Sequence, residues 1–108
     1  MSGKSEDMRR SYLFVYGTLK KPAVQKKVLG RIIKGSRDLL EDYKKSKVSV
    51  NRKIYPAVIH SIGSKVSGLV ISVTTHELKL IDKYETGAYI RKKVMLRGGR
   101  IVWIYARK

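Results

Sequence analysis

The sequence lacks cysteine altogether and has little acid: eight aspartates and glutamates stand against 25 lysines and arginines in 108 residues. The absence of cysteine excludes disulfide bonds, thiolate catalysis and cysteine-ligated zinc. The two histidines, His60 and His76, cannot by themselves build a metal site. We therefore expect no metal, and carboxylates remain as the groups able to transfer protons.

Long hydrophobic runs are also missing, so the sequence predicts no membrane-spanning helix. The segment 1–11 is polar and charged and has no apolar region typical of a signal peptide, which predicts a flexible leader on a cytoplasmic protein. The length suits one domain with its own core, and we assign residues 12–108 to that domain.

The formal net charge is +17. A balance this basic favours attraction to nucleic acid or another polyanion at low salt. The basic residues are spread along the chain without a long uninterrupted block, so a solvated basic surface without a partner is the alternative interpretation.

The chain is organised around a run of large apolar residues, Tyr12–Tyr16, which ends at Gly17. An unbroken run of this kind is typical of a short strand buried on both faces. Gly17 allows a sharp turn, and the residues after it would present main-chain N–H groups that can bind an anion. An ordinary glycine turn after a core strand is the simpler alternative.

The other segments predict an α+β fold, a small mixed β-barrel of about six short strands with two short helices. Pro22 begins one predicted helix, which Gly30 ends. Thr74 and Glu77 form a capping box at the start of the other, which runs to about Lys83. Gly68 indicates a bulge or the close approach of another backbone. The predicted strand segments are residues 12–16, 31–34, parts of 37–54, 55–59, 66–73, 89–96 and 101–106.

Two carboxylates lie where the second predicted helix ends in a glycine-containing loop. Asp82 is poorly matched to the helix dipole at that end, which indicates a structural hydrogen bond. Glu85 lies beyond it, and a carboxylate held near apolar strands would have a raised pKa and could act as a base near neutral pH. A surface glutamate in a loop is the alternative.

The order of several short motifs resembles the γ-glutamylcyclotransferase-like superfamily, nearest to its small γ-glutamylamine cyclotransferase branch. The resemblance covers roughly residues 12–106, and no single motif is decisive. The motifs are Tyr16-Gly17-Thr18-Leu19-Lys20, Val28-Leu29-Gly30, Tyr55-Pro56-Ala57, Val66-Ser67-Gly68-Leu69-Val70, Leu80-Ile81-Asp82-Lys83-Tyr84-Glu85 and Tyr89-Ile90-Arg91.

The resemblance implies a cavity at one end of a mixed barrel and a reaction that needs no cofactor. The substrate would be a small γ-glutamyl amine or peptide, whose α-amine attacks its own δ-carbonyl, releases an amine and leaves 5-oxoproline. Glu85 would be the catalytic residue. The substrate-binding residues would be Tyr16, Gly17, Thr18 and Leu19, acting largely through their backbone on the glutamyl moiety.

The sequence departs from the family pattern after Lys20. Where the amine cyclotransferases carry a Gly-Gln-Pro-Asn-like continuation, this chain has Lys21-Pro22-Ala23-Val24-Gln25. Two other functions stay open for this reason: a basic module that binds nucleic acid or another polyanion without catalysis, and a partner-binding domain with a vestigial cavity. The enzyme hypothesis requires that Glu85 and the backbone of residues 17–19 face one cavity, and it fails if they lie on opposite sides of the barrel.

Overall fold

The computed structural model describes residues 9–108, apart from the side chain of Thr86. Most of the predicted leader, residues 1–8, lies outside the described residues. The first strand begins at Arg10, two residues before the predicted start of the domain.

A single mixed sheet of five strands forms a half-barrel with two helices, as predicted for the class. The strand order is β2-β3-β1-β5-β4, in which β1 and β5 are parallel and all other neighbours are antiparallel. Two short 3₁₀ turns, Thr18–Lys20 and Thr86–Ala88, lie at one end of the sheet. The elements are β1 (Arg10–Val15), α1 (Pro22–Leu29), β2 (Ser36–Val50), β3 (Lys53–Thr74), α2 (Thr75–Glu85), β4 (Tyr89–Met95) and β5 (Ile101–Arg107).

The chain uses fewer and longer strands than the sequence pattern predicted. Residues 36–74 form one hairpin of a 15-residue and a 22-residue strand. A bulge between Glu41 and Tyr43 breaks the alternation of apolar residues, and Asp42 adopts φ 63° there while accepting a hydrogen bond from the Gly63 N–H at 3.0 Å. Because the bulge shifts the register within β2, its buried positions do not keep an even spacing.

The predicted strand at residues 31–34 is wrong, since this segment forms no helix or strand. Residues of this segment make side-chain contacts with other elements instead. The Ile33 N–H donates to the side chain of Gln25 at 2.8 Å, and the Arg31 side chain pairs with Glu77. The segment therefore has side-chain partners where a strand would have a neighbouring backbone.

Residues of β1 alternate between two hydrophobic clusters, which explains their unbroken apolar run. Phe14 lies in the cluster inside the half-barrel, and Leu13 and Val15 lie in the cluster beneath the helices. Because both faces are buried, neither set of alternate positions needs to be polar. The strand ends at Val15 in the middle of the five-stranded sheet, and Tyr16 and Gly17 follow directly after it.

The predicted close approach at Gly68 is confirmed. A Cβ atom at this position would lie 2.5 Å from the ring of Phe14 and 2.6 Å from the carbonyl oxygen of Val15. Both distances are too short for any side chain, so glycine is required if β1 and β3 are to keep their spacing. The bulge of the hairpin lies elsewhere, at Glu41 and Tyr43.

Neither helix within residues 9–108 is long and apolar enough to cross a membrane.

Candidate active site

The loop after β1 presents backbone N–H groups at the end of a buried strand. A tight 3₁₀ turn begins at Thr18, closed by hydrogen bonds from the N–H groups of Lys20 and Lys21 to the carbonyls of Gly17 and Thr18 at 3.1 and 3.0 Å. Within the described residues the N–H groups of Gly17, Thr18 and Leu19 donate no backbone hydrogen bond outside the strands and helices. Groups of this kind at the start of a helical turn are free to bind an anion.

Gln25 of α1 holds this loop in place. Its side chain is 2% exposed and is satisfied at both ends, since Nε2 donates to the Leu19 carbonyl and Oε1 accepts from the Ile33 N–H, each at 2.8 Å. The sequence pattern did not indicate that Gln25 is buried. Its neighbours Lys26 and Lys27 are exposed, and the helical pattern gave no signal that one polar residue points inward.

At its other end the chain positions Glu85 through helix α2. The predicted capping box is present: Glu77 Oε1 accepts from the Thr74 N–H at 2.9 Å, and Thr74 Oγ1 accepts from the Glu77 N–H at 3.1 Å. The Glu77 carboxylate also accepts two hydrogen bonds from Arg31, at 2.6 and 2.8 Å. The hydrogen bonds from Arg31 hold the pKa of Glu77 below its usual value, although burial opposes them.

The last turn of α2 is tied to the sheet by Asp82. Its carboxylate accepts hydrogen bonds from the Tyr105 hydroxyl and from Arg91, whose Nε lies 2.9 Å from Oδ1. These contacts confirm the structural hydrogen bond predicted for Asp82. Because Glu85 lies less than one turn further along the helix, they also fix where its side chain leaves the helix.

One cavity of about 210 Å³ lies between these two positions. Its walls come from the end of β1 and the following loop, the tip of the β2–β3 hairpin, the end of α2, the start of β4 and the last part of β5. The structure therefore brings Glu85 and the Tyr16–Leu19 segment to the same cavity. The lining residues are Phe14, Val15, Tyr16, Gly17, Thr18, Leu19, Val50, Asn51, Tyr55, Pro56, Tyr84, Glu85, Tyr89 and Tyr105.

The lining differs sharply in charge from the rest of the molecule. Among the described residues the lining contains no lysine, arginine or histidine, and Glu85 is its one carboxylic acid. Within residues 9–108 no three side chains of His, Cys, Asp or Glu lie together as a metal site would require. The cavity thus offers one carboxylate, backbone N–H groups and aromatic walls to a ligand.

Burial raises the pKa of Glu85 from 4.5 to about 7. Desolvation is the one cause of this shift, and no hydrogen bond or cation within the described residues offsets it. A carboxylate with this pKa exists in both protonation states near neutral pH, which suits a group that accepts a proton and later returns it.

Tyrosines form much of the wall around Glu85, and most of their hydroxyls are bound to other parts of the protein. Tyr16 donates to the Tyr105 carbonyl, and Tyr89 donates to the Pro56 carbonyl at 2.7 Å. The Tyr84 hydroxyl lies 3.0 Å from Thr18 Oγ1 and so connects the end of α2 to the loop. Burial, with Glu85 adding to it, raises the pKa of Tyr89 to about 12, so this phenol stays neutral.

Sequence reasoning did not single out this aromatic wall. Its members come from five separate segments of the chain, and only their positions in the fold bring them together. The tyrosine content was the one available signal, since seven of the 108 residues are tyrosine while the chain has one phenylalanine and one tryptophan.

Comparison with known proteins finds one family along almost the whole chain. Residues 13–108 match the family described as Gamma-glutamyl cyclotransferase, AIG2-like. AIG2-like protein D of Arabidopsis thaliana is 34% identical over 85 residues, which make up 78% of this chain and 55% of that protein. The chain spans about half the length of the curated relatives it matches.

Solved structures share the fold. The solution structure of an Arabidopsis thaliana protein superposes with a TM-score of 0.78 at 29% sequence identity, covering 94% of this chain and 64% of that one. A structure described as gamma-glutamyl cyclotransferase superposes with a TM-score of 0.74 at 18% identity, covering 93% of this chain and 68% of that one. At this level of identity the second likeness concerns the fold alone.

Proposed function

The chain belongs to the γ-glutamyl cyclotransferase, AIG2-like family, and we propose that it is a cofactor-free cyclotransferase that converts a γ-glutamyl amine into 5-oxoproline and a free amine. The observation that carries the proposal is that Glu85 and the backbone of Gly17–Leu19 line one cavity. A reaction in which one carboxylate moves a proton while donors hold the rest of the substrate needs both parts within reach of the same molecule.

In the proposed reaction the α-amine nitrogen forms a bond to the δ-carbon of the same glutamyl group. The bond from the δ-carbon to the leaving nitrogen breaks, and a five-membered ring results. Glu85 takes a proton from the α-ammonium so that the amine can attack, and returns it to the leaving nitrogen as the bond to the δ-carbon breaks. The ring nitrogen then loses its second proton, which the released amine takes up as it becomes an ammonium ion, so no water or other co-reactant is consumed. Because the attack is intramolecular, holding the glutamyl group folded supplies much of the acceleration.

The N–H groups of Gly17, Thr18 and Leu19 are assigned to the α-carboxylate of the substrate. Glu85 is negative when it acts as a base, so a carboxylate has to lie on the opposite side of the cavity. The loop supplies donors there, and Gln25 fixes the loop by its hydrogen bond to the Leu19 carbonyl. The α-ammonium then lies between the two sites, next to the carboxylate of Glu85.

The chemistry of the lining favours an amine as leaving group over an amino acid. An amino acid would bring a second carboxylate into a cavity that contains no cation and already holds Glu85. Burying such a charge without a partner is costly. The rings of the tyrosines and Pro56 fit the alkyl or aryl part of an amine instead.

The test is the release of 5-oxoproline from a panel of γ-glutamyl amines, with the matching γ-glutamyl amino acids as comparison. We expect turnover of at least one amine and a lower kcat/KM for its amino acid counterpart. Glu85→Gln should remain folded by circular dichroism and should lower kcat by about 10²- to 10⁴-fold, the range that general acid–base catalysis supplies. The enzyme proposal fails if the panel yields no 5-oxoproline.

A second function, polyanion binding without catalysis, is favoured by the surface charge. Every lysine within the described residues is exposed, and the four ion pairs found there all use arginine. Nucleic acid is the obvious polyanion to test. Binding that persists at physiological salt and is unchanged in Glu85→Gln would support this function, whereas binding that vanishes at that salt would be an effect of bulk charge.

A further inference from the structure

Five tyrosines line the cavity, and the hydroxyls of four have partners inside the protein. Tyr16 and Tyr89 donate to backbone carbonyls, Tyr84 is bonded to Thr18, and Tyr105 donates to Asp82. These four phenols hold the walls of the cavity together. Their rings face a ligand, but their hydroxyls are already in use.

Tyr55 differs from the other four. It lies near the start of β3, is half-buried and lines the cavity, yet its hydroxyl makes no hydrogen bond with any described residue. No buried side-chain oxygen or nitrogen in the described residues lacks a partner, so the Tyr55 hydroxyl is not sealed inside the protein and can be reached from outside it. It is therefore a donor that the fold positions and does not use.

Tyr55 lines the same cavity as both parts of the proposed site. Its neighbour Pro56 packs against the loop, since a Cβ on Gly17 would lie 3.4 Å from the Pro56 Cβ. On the other side, the pKa of Tyr89 is raised by burial and then by Glu85, with Tyr55 also contributing. Tyr55 thus lies close to the loop through Pro56, and close to the environment of Glu85 through Tyr89.

The proposed reaction leaves one charged atom without a donor. The loop holds the α-carboxylate and Glu85 handles the protons on nitrogen, while negative charge develops on the δ-carbonyl oxygen as the ring closes. The Thr18 hydroxyl is engaged with Tyr84, and the Asn51 side chain is exposed at the tip of the hairpin. Donors act most strongly on an oxyanion where water is excluded, which favours the half-buried phenol.

We propose that the Tyr55 hydroxyl donates a hydrogen bond to the δ-carbonyl oxygen of the γ-glutamyl group and stabilises its negative charge in the transition state. This assignment rests on the proposed function. Tyr55 donates a hydrogen bond and transfers no proton in this proposal, so the proton transfers remain with Glu85. Tyr55 would be a catalytic residue in addition to those that the sequence pattern indicated.

The test is Tyr55→Phe, which removes one oxygen atom and leaves the aromatic wall. Loss of one oxyanion donor lowers kcat by about 10²-fold or more. KM should change little, because the hydrogen bond strengthens only as charge develops. The thermal midpoint should stay the same, since the hydroxyl has no partner in the protein.

Tyr12→Phe is the matched control, because Tyr12 is 50% exposed and does not line the cavity. We expect its kcat and KM to equal those of the unsubstituted protein. Full activity in Tyr55→Phe, or a fall in kcat that follows a large fall in thermal midpoint, would overturn the role of Tyr55 while leaving the proposed function intact. An unsubstituted protein that releases no 5-oxoproline would overturn both.

Discussion

Helix α2 carries a glutamate at each end, and the two have opposite environments. Glu77, in the first turn, accepts hydrogen bonds from Arg31 and from the Thr74 N–H, and these hold its pKa below the usual value. Glu85, the last residue of the helix, has no such partner, and burial raises its pKa to about 7. The helix dipole acts in the same directions, since it favours negative charge at the N-terminus and disfavours it at the C-terminus.

This difference separates a structural carboxylate from one available for chemistry. Both carboxylate oxygens of Glu77 have structural partners, because they cap the helix and bind Arg31. Neither oxygen remains available for a ligand. Glu85 is desolvated without compensation, so its charge costs stability. An uncompensated carboxylate in a cavity is what a substrate ammonium group can bind.

The first test of this difference is a pH–rate profile of the unsubstituted protein and of Glu77→Gln. Because Glu85 must be deprotonated to act as a base, kcat/KM should rise about fifty-fold between pH 5 and 7 and level off above its pKa of about 7. Glu77→Gln should show the same rise, since its carboxylate does not take part. A profile that stays flat in the unsubstituted protein would remove the distinction between the two glutamates.

The second prediction concerns stability and pH at the Glu85 end. Below pH 4.5 this carboxyl is protonated in both folded and unfolded chains, and above pH 7 it is ionised in both, with better solvation in the unfolded chain. Its contribution to the free energy of unfolding therefore falls between these values, by at most about 3 kcal/mol. Denaturant titrations from pH 4 to 8 should show that Glu85→Gln removes this fall and is more stable than its parent at pH 8.

The third prediction concerns the Glu77 end, where the sign is reversed. The lowered pKa of Glu77 means that its stabilisation is present above pH 4.5 and is lost as the pH falls through its folded value. Glu77→Gln should lower the free energy of unfolding at pH 7 by about 2 kcal/mol, since it weakens both the cap and the contact with Arg31. Thr75→Ser, two positions earlier in the first turn of the same helix, is the control and should cost far less. Equal stability of Glu77→Gln and its parent would contradict the structural role.

The smallest effect is expected at Asp82, between the two glutamates. Asp82→Asn keeps the size of the side chain but weakens the contacts with Arg91 and Tyr105. This pair is partly exposed, so we expect a loss of about 0.5–1 kcal/mol in unfolding free energy. A few-fold fall in kcat should accompany it, because the turn that carries Glu85 is held less firmly. An unchanged kcat would mean that Glu85 is positioned without Asp82.

The helix itself was predictable from the sequence because its signals are local. The capping box needs two residues three positions apart, and Thr74 and Glu77 supply it. The strand ending at Gly17 was predictable for the same reason. The contact between Glu77 and Arg31 was not predictable, because Arg31 lies 46 residues away and was assigned to a strand that does not form.

The larger features of the cavity depend on long-range pairing. The hairpin of β2 and β3 brings Val50, Asn51 and Tyr55 over the loop, but the bulge at Asp42 obscures the alternation that would have revealed strands of this length. Glu85 was found through the family resemblance, and its residue type and loop position alone left a surface glutamate as the alternative. The sequence also cannot show which hydroxyls are already bonded, such as that of Tyr89, which donates to the Pro56 carbonyl, because only the folded chain decides this.

The turn at the tip of the β2–β3 hairpin gives this fold a way to diversify. Asn51 and Arg52 both adopt left-handed backbone angles there, with φ of 51° and 66°, and Asn51 forms part of the cavity wall. The turn and helix α2 lie at opposite ends of β3, which runs from Lys53 to Thr74. Under the proposed function, insertions or deletions in this turn would reshape the cavity for a different amine without altering helix α2 or the loop after β1, so selectivity could change independently of the chemistry.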